Sequence, residues 1–377
     1  MVSDVPVGMF LSGGYDSSVV TALLQANRTG KIKTFTIGFH EEKYNEAQYA
    51  KKIADYLGTD HTEYYCTEKD VLDIFPLLPE IWDEPFGDSS AVPTTLVSRV
   101  ARKDVTVSLS ADGGDEIFGG YDKYTTVYKY KRFLQKTPSC FHGFLKYILR
   151  NSTTHFTAEK LGIRNPQRRL ERFSYMLGCN DAVILSLGSS QWLTSELQTL
   201  FKENYKPVLT AYDDNLGSGT WLDNLLALDY KTYQIDDILT KVDRATMSVS
   251  LEGREPLLDY RIIEYVARLP DSLKIRHNRD KKYLLKQIAY KYIPAPLLDR
   301  PKRGFGIPIN RWFNNDEKLK DYFLYYLDKE RLIKEDIFNI DIISAIMKQY
   351  LANKTEFTPL WYILIFEIWK EKWNVNG

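Results

Sequence analysis

The sequence predicts an α/β protein: a parallel sheet with flanking helices, followed by an α-helical C-terminal lobe. Short apolar or β-branched runs alternate with helical patterns over about the first 110 residues. From about Tyr121 onward the patterns are helical, broken by polar loops. Alternating strand and helix implies a parallel sheet with right-handed crossovers. A third observation locates a site: two glycine-rich polar loops each follow a strand, and ligands on such sheets sit at the carboxyl ends of strands.

Taken in order, Val7 to Leu11 is a short apolar strand that ends abruptly in Ser12-Gly13-Gly14-Tyr15-Asp16-Ser17-Ser18. Val19 to Ala26 is helix-compatible, and Lys33 to Phe39 is a β-branched and aromatic strand. Asn45 to Leu57 is a helix with apolar positions at Ala47, Ala50, Ile53, Ala54 and Leu57, closed by Gly58. His61 to Tyr65 is a short strand, and Val71 to Trp82 is an apolar helical stretch interrupted by Pro76 and Pro79. Ala91 to Arg102 is helical. Val105 to Leu109 alternates like a half-exposed strand, or like a parallel one near an edge. Tyr121, Tyr124, Tyr128 and Lys131 fall at helical spacing, and Leu360 to Trp369 reads as an aromatic-rich closing helix. No further strand is expected after Tyr121. The chain therefore divides near residue 135, into an α/β core at 1–135 and a helical lobe at 136–377.

The first loop carries the most chemical information. Paired glycines let the backbone approach a ligand, and Ser12, Ser17 and Ser18 add hydroxyl donors. The free N–H groups of the following helical turn favour an anion. Asp16 would repel a phosphate unless a divalent cation bridges the two, so it predicts Mg2+. No lysine follows the glycines at Walker A spacing. The second loop, Ser110-Ala111-Asp112-Gly113-Gly114-Asp115-Glu116-Ile117-Phe118-Gly119-Gly120-Tyr121, sets three acids among four glycines after a strand, a composition suited to metal and phosphate.

Composition excludes other classes. Lys+Arg and Asp+Glu both count 50, so no global field draws in nucleic acid or an acidic membrane. The three cysteines, Cys66, Cys140 and Cys179, lie far apart without Cys-x-x-Cys spacing, which argues for a reducing, cytoplasmic setting. No signal peptide is expected at the N-terminus, and Leu360 to Trp369 is too short to span a bilayer.

The first loop resembles the Ser-Gly-Gly-x-Asp-Ser loop of ATP pyrophosphatases, which split ATP into AMP and pyrophosphate. Further blocks extend the resemblance. They are Asp83-Glu-Pro-Phe-Gly-Asp88-Ser-Ser90, Ser110 to Tyr121, Lys241-Val-Asp243-Arg244-Ala-Thr-Met247, and Leu251-Glu252-Gly-Arg254-Glu-Pro256-Leu-Leu-Asp259. Lys281-Lys282-Tyr-Leu-Leu-Lys286 and Arg300-Pro-Lys302-Arg-Gly304-Phe305 complete the series. In this order, from about residue 5 to 315, they resemble the synthetase half of glutamine-hydrolysing asparagine synthetases.

The resemblance implies a Rossmann-like fold of the adenine nucleotide alpha-hydrolase type, with ATP and Mg2+ as cofactors. It implies adenine-nucleotide contacts at Leu11, Ile37, Ser110 and Ala111, and phosphate contacts along Ser12, Gly13, Gly14, Asp16, Ser17 and Ser18. Asp16 and Asp115 would hold Mg2+ on the pyrophosphate. Asp112 would stand at the acidic position linked to forming an acyl-adenylate, and Lys282 would neutralise charge developing in the transition state. Asp88, Ser89 and Ser90 are candidates for an amino-acid pocket. Asp112 is one methylene shorter than the usual glutamate, Ala111 replaces a glycine, and Lys286 stands where arginine is common. The expected substrates are aspartate or another carboxylate, such as a sugar acid or peptide in a surface-polysaccharide pathway, and ammonia.

Family members usually begin with a glutaminase domain whose nucleophile is an N-terminal cysteine. This chain reads Met1-Val2, and no cysteine precedes Cys66. Ammonia then comes from solution or from a separate glutaminase subunit, or the chain is a fragment. A non-catalytic nucleotide-binding scaffold and a nucleic-acid enzyme stay open as alternatives. Retention of Asp16, Asp115 and Lys282 speaks against the first, and the neutral charge against the second.

Overall fold

The computed structural model describes residues 3–42, 44–138, 140–151, 166–203, 205–206, 219–300, 306–352 and 355–375. Lys302 and Arg303 of the last sequence block lie outside the described residues. The strands Val7–Phe10 (β1), Lys33–Phe39 (β2), Asp60–Cys66 (β3), Val107–Leu109 (β4) and Glu252–Arg254 (β5) form one sheet in the order β3-β2-β1-β4-β5. Every pairing is parallel. The chain thus moves outward from β1 on one side and then resumes at β4 on the other. The order reverses between β1 and β4, and such a switch point is where open α/β sheets bind ligands.

Helices Tyr15–Ala26 (α1), Ala47–Leu57 (α2), Glu68–Ile74 (α3), Leu78–Trp82 (α4), Ala91–Arg102 (α5) and Gly114–Phe118 (α6) accompany the strands. The expected helical stretch from Val71 to Trp82 is divided at Phe75–Leu77, a short 3-10 turn containing Pro76. Proline there removes a backbone donor, and the helix breaks at that point. Leu11, Val19, Ile53 and Met9 are buried together, so one face of α1 and α2 closes over the sheet.

β4 is buried and pairs in parallel beside the edge strand β5, so of the two readings for this stretch the half-exposed one fails and the parallel one near an edge holds. The expectation that no strand follows Tyr121 fails. β5 pairs Val107 with Glu252 and Leu109 with Arg254. Its residues, Glu252-Gly253-Arg254, show neither apolar alternation nor β-branching, and both charged ends are exposed. An edge strand of this kind is made by its partner's hydrogen bonds, not by its own pattern. A small antiparallel hairpin, Ile275–Arg276 (β6) with Asp280–Lys281 (β7), follows later in the chain.

Contacts group the chain into two units, Met1–Tyr121 with Asp229–Lys320, and Asp122–Leu228 with Asp321–Gly377. The grouping is discontinuous, whereas the sequence suggested one cut near residue 135. The first unit carries both sheets. The second consists of helices, including Asp122–Lys136, Ile340–Leu351 and Thr358–Lys372. In the last of these helices Leu360, Trp361, Leu364 and Ile368 are buried. No helix among the described residues is long and apolar enough to cross a membrane.

Candidate active site

The first polar loop begins where β1 stops. Leu11 N still donates to the Phe35 carbonyl at 2.9 Å, and then the chain turns. Ser12 N donates to Ser17 Oγ at 3.2 Å, and Gly14 N donates to Ser12 Oγ at 3.3 Å, so the serines hold the loop from within. Gly13 has φ +75, and a Cβ there would lie 2.8 Å from the Ala50 nitrogen. Glycine is required both for that conformation and for the close approach to α2.

The second loop leaves β4 beside it. Ser110 N donates to the Arg254 carbonyl at 2.9 Å, and Ser110 Oγ donates to the Asp112 carboxylate. A Cβ on Gly114 would lie 2.6 Å from Asp16 Oδ1, so the two loops touch where the second has no side chain.

Lys282 reaches both loops. It follows β7, takes a left-handed backbone (φ 54), and precedes the helix Tyr283–Ala289. Its ammonium bonds the Asp16 carboxylate and lies 2.7 Å from Asp115 Oδ1. Burial alone would lower this ammonium, but the charges of Asp16 and Asp115 outweigh it and hold Lys282 above its ordinary range. The group is therefore a fixed cation between two carboxylates.

These residues surround one cavity of about 630 Å³. Leu11, Ser12, Gly13, Gly14, Asp16, Ser17, Ile37, Ser110, Ala111, Asp112, Asp115 and Lys282 all line it. Ser18 does not: it is fully buried behind the loop. Asp88 and Ser90 line the cavity, but Ser89 is absent from its wall. Arg244 pairs with Asp83 at 2.8 Å, Arg254 with Glu252 at 2.5 Å, and Asp259 with Arg261 at 2.7 Å. Together with Asp243, these groups stand away from the lining.

The sequence reading named Asp88 and Ser90 but gave no individual role to Lys241, Glu116 and Tyr121, which also line the wall. Lys241 Nζ bonds Asp88 Oδ2 at 2.9 Å. Burial would raise the Asp88 carboxyl, but the Lys241 charge and bonds from Ser90 hold it below its usual range. Tyr121 Oη donates to Glu116 Oε1 at 2.7 Å, and the Gln234 amide, in the orientation that satisfies both groups, donates to Glu116 at 3.1 Å. Burial, reinforced by Asp115, pushes the Glu116 carboxyl up to about 7. Gln234 belongs to a π-helical segment, Gln234–Leu239, between Tyr233 and the helix Thr240–Met247. Such segments have no sequence signature, although they recur at functional sites. Lys241 stood in a quoted block, yet nothing local indicated that it would meet Asp88.

The carboxylates of Asp16 and Asp115 converge on a single cation, a donor set that suits Mg2+. This ion is commonly bound by one or two carboxylates together with substrate phosphates. Among the described residues, no group of three or more His, Cys, Asp or Glu gathers as a metal cluster.

Comparison with known proteins agrees with this geometry. The asparagine synthase family model matches residues 1–371. Asparagine synthetase (glutamine-hydrolyzing) 1 of Bacillus subtilis is 30% identical over 376 residues, covering 98% of this chain and 56% of the relative. A putative asparagine synthetase (glutamine-hydrolyzing) 2 of Methanocaldococcus jannaschii is 38% identical over 249 residues, covering 66% of this chain and 46% of the relative. A putative asparagine synthetase of Mycobacterium tuberculosis is 28% identical over 376 residues, covering 98% of this chain and 55% of the relative. The chain spans about half the length of the curated relatives it matches. With a family match along nearly its whole length, and two strand-end loops meeting at one cavity, the chain belongs to the asparagine synthase family.

Proposed function

We propose that this chain is a carbon–nitrogen ligase that makes an amide at the expense of ATP, converting aspartate and ammonia to asparagine with AMP and pyrophosphate. The observation that carries this reading is the meeting of Asp16, Asp115 and Lys282 in the cavity at the β1/β4 switch point. A free carboxylate is a poor electrophile, so it must first be activated. The acceptor carboxylate attacks the α-phosphorus of ATP, pyrophosphate leaves, and an acyl-adenylate forms. Ammonia, free or delivered by a glutaminase, then attacks the activated carbonyl and expels AMP.

The residues divide this work. Ser12, Gly13, Gly14 and Ser17 cradle the phosphates. Leu11, Ile37, Ser110 and Ala111 flank the adenosine. Asp16 and Asp115 would hold Mg2+, which neutralises phosphate charge. Lys282 supplies a fixed positive charge to the leaving pyrophosphate, and donors aimed at developing charge act most strongly in a site shielded from water. Asp112 faces the acyl-forming step. Asp88, half-buried, and Lys241, buried, form a pair of opposite charges that would orient an acceptor carrying both signs.

The test is a product assay with ATP, Mg2+, ammonium and a panel of carboxylates including aspartate, sugar acids and peptides, read by mass spectrometry. Stoichiometric AMP, pyrophosphate and asparagine are expected. ADP and phosphate would reject the reading of the first loop. Amidation of a different carboxylate alone would reject aspartate as the acceptor.

A further inference from the structure

Two consecutive residues grip the first loop from opposite flanks. The Asp299 carboxylate accepts from Tyr15 Oη and, at 2.6 Å, from Tyr290 Oη. Arg300 Nη2 donates to the Ser12 carbonyl at 3.3 Å. Between Ser12 and Tyr15 stand only Gly13 and Gly14, the part of the chain least able to hold its own shape. Arg300 is itself fixed. Its Nη1 bonds Glu46 Oε1 at 2.8 Å, both side chains are about nine-tenths buried, and its guanidinium carbon lies 4.4 Å from the Tyr49 ring centroid.

Burying two charges costs solvation that their attraction repays only with well-formed geometry. A hydrophobic pair would fill the same space, yet it could not donate to a backbone carbonyl of the loop. The planar fork of arginine can bond Glu46 with one nitrogen and Ser12 with the other, which lysine cannot copy. Arg300, Glu46 and Ser12 also line the same cavity.

We infer that Arg300 is a positioning residue for nucleotide binding, setting the Ser12–Tyr15 loop through the Ser12 carbonyl while Glu46 holds its guanidinium in register. The inference rests on the ATP reading above. It does not require Arg300 to touch the nucleotide. Glu46 acts through Arg300, so the two residues form one coupled unit.

The test is a double-mutant cycle with Arg300→Lys, Glu46→Gln and the combined variant. ATP affinity is measured by equilibrium titration with Mg2+ and no acceptor, and thermal melts are run in parallel. Arg300→Lys, which keeps a cation beside Glu46, is expected to melt near wild type, and Glu46→Gln to melt lower but still fold, because it leaves a buried guanidinium without its carboxylate. Each is expected to weaken ATP binding about tenfold. The combined variant should be no weaker than the weaker single one, because coupled residues are not additive. Unchanged ATP affinity in either folded variant would overturn the inference, as would multiplicative losses in the combined one. If one variant fails to fold, the other decides. Failure of both would overturn it too, since the pair would then hold the fold and not the loop. Absence of ATP binding by the wild type would instead remove the nucleotide reading itself.

Discussion

Lys282 and Asp115 meet at 2.7 Å, although 167 residues apart in sequence, and the same ammonium also bonds Asp16. Only a small gap admits this arrangement. A Cβ on Gly120 would lie 1.9 Å from Asp115 Oδ1 and 2.0 Å from Lys282 Cε.

Lys282→Ala is expected to lower kcat and kcat/KM together, by about a hundredfold or more on the usual effect of removing an electrostatic stabiliser. ATP affinity should change little, because in the proposed reading the loop still holds the ground-state phosphates. Steady-state kinetics paired with an ATP titration checks both. Weak binding with normal turnover at saturation would place Lys282 in ground-state binding instead.

Lys282→Met should destabilise the metal-free protein by about 3 kcal/mol, because it leaves two largely buried carboxylates facing each other. Mg2+ alone should recover part of that loss in the variant and raise the melting temperature of the wild type less. Calorimetric melts with and without Mg2+ decide the matter. Equal metal shifts in both proteins would argue against a shared cation position.

Gly120→Ala should cost most of the activity while leaving the fold largely intact. The inserted methyl collides with the ends of the Asp115 and Lys282 side chains, which can move aside but then leave their positions. Normal turnover with a normal melt would contradict the tight geometry. Asp16→Asn should cut turnover severely by removing the proposed metal ligand while keeping its shape, and unchanged activity would remove that assignment.

Within the helical unit, burial and the neighbouring Glu335 push the Glu367 carboxyl up to about 8. A carboxyl with a raised folded-state pKa favours the native state in its protonated form. Its contribution is complete below the ordinary range of about 4.3 and is lost as pH climbs towards 8. Glu367→Gln should therefore flatten the fall in melting temperature between about pH 5 and pH 8, by about a few degrees at the alkaline end. Parallel slopes for variant and wild type would show that Glu367 is not the responsible group.

The sequence by itself determined the local parts of this protein. β1 to β4, α1, α2 and α5 follow from periodicity, from Gly58 with φ +71 as a helix stop, and from two loops whose small residues cannot continue a strand or helix. Those signals lie within a few residues of the element they specify. Tertiary structure alone decided which distant residues meet. β5 exists because Val107 to Leu109 offers an unpaired edge to a charged tripeptide with no strand pattern of its own. Lys282 and Asp16, 266 positions apart, share a bond, and Lys241 and Asp88 do so across 153. Ser18 carried the same residue type as Ser17 but turned into the core, because successive positions of α1 point in different directions. Propensity and turn chemistry act on neighbours in the chain. Burial and ion pairing act on neighbours in space, and those were fixed only when the sheet closed around the switch point.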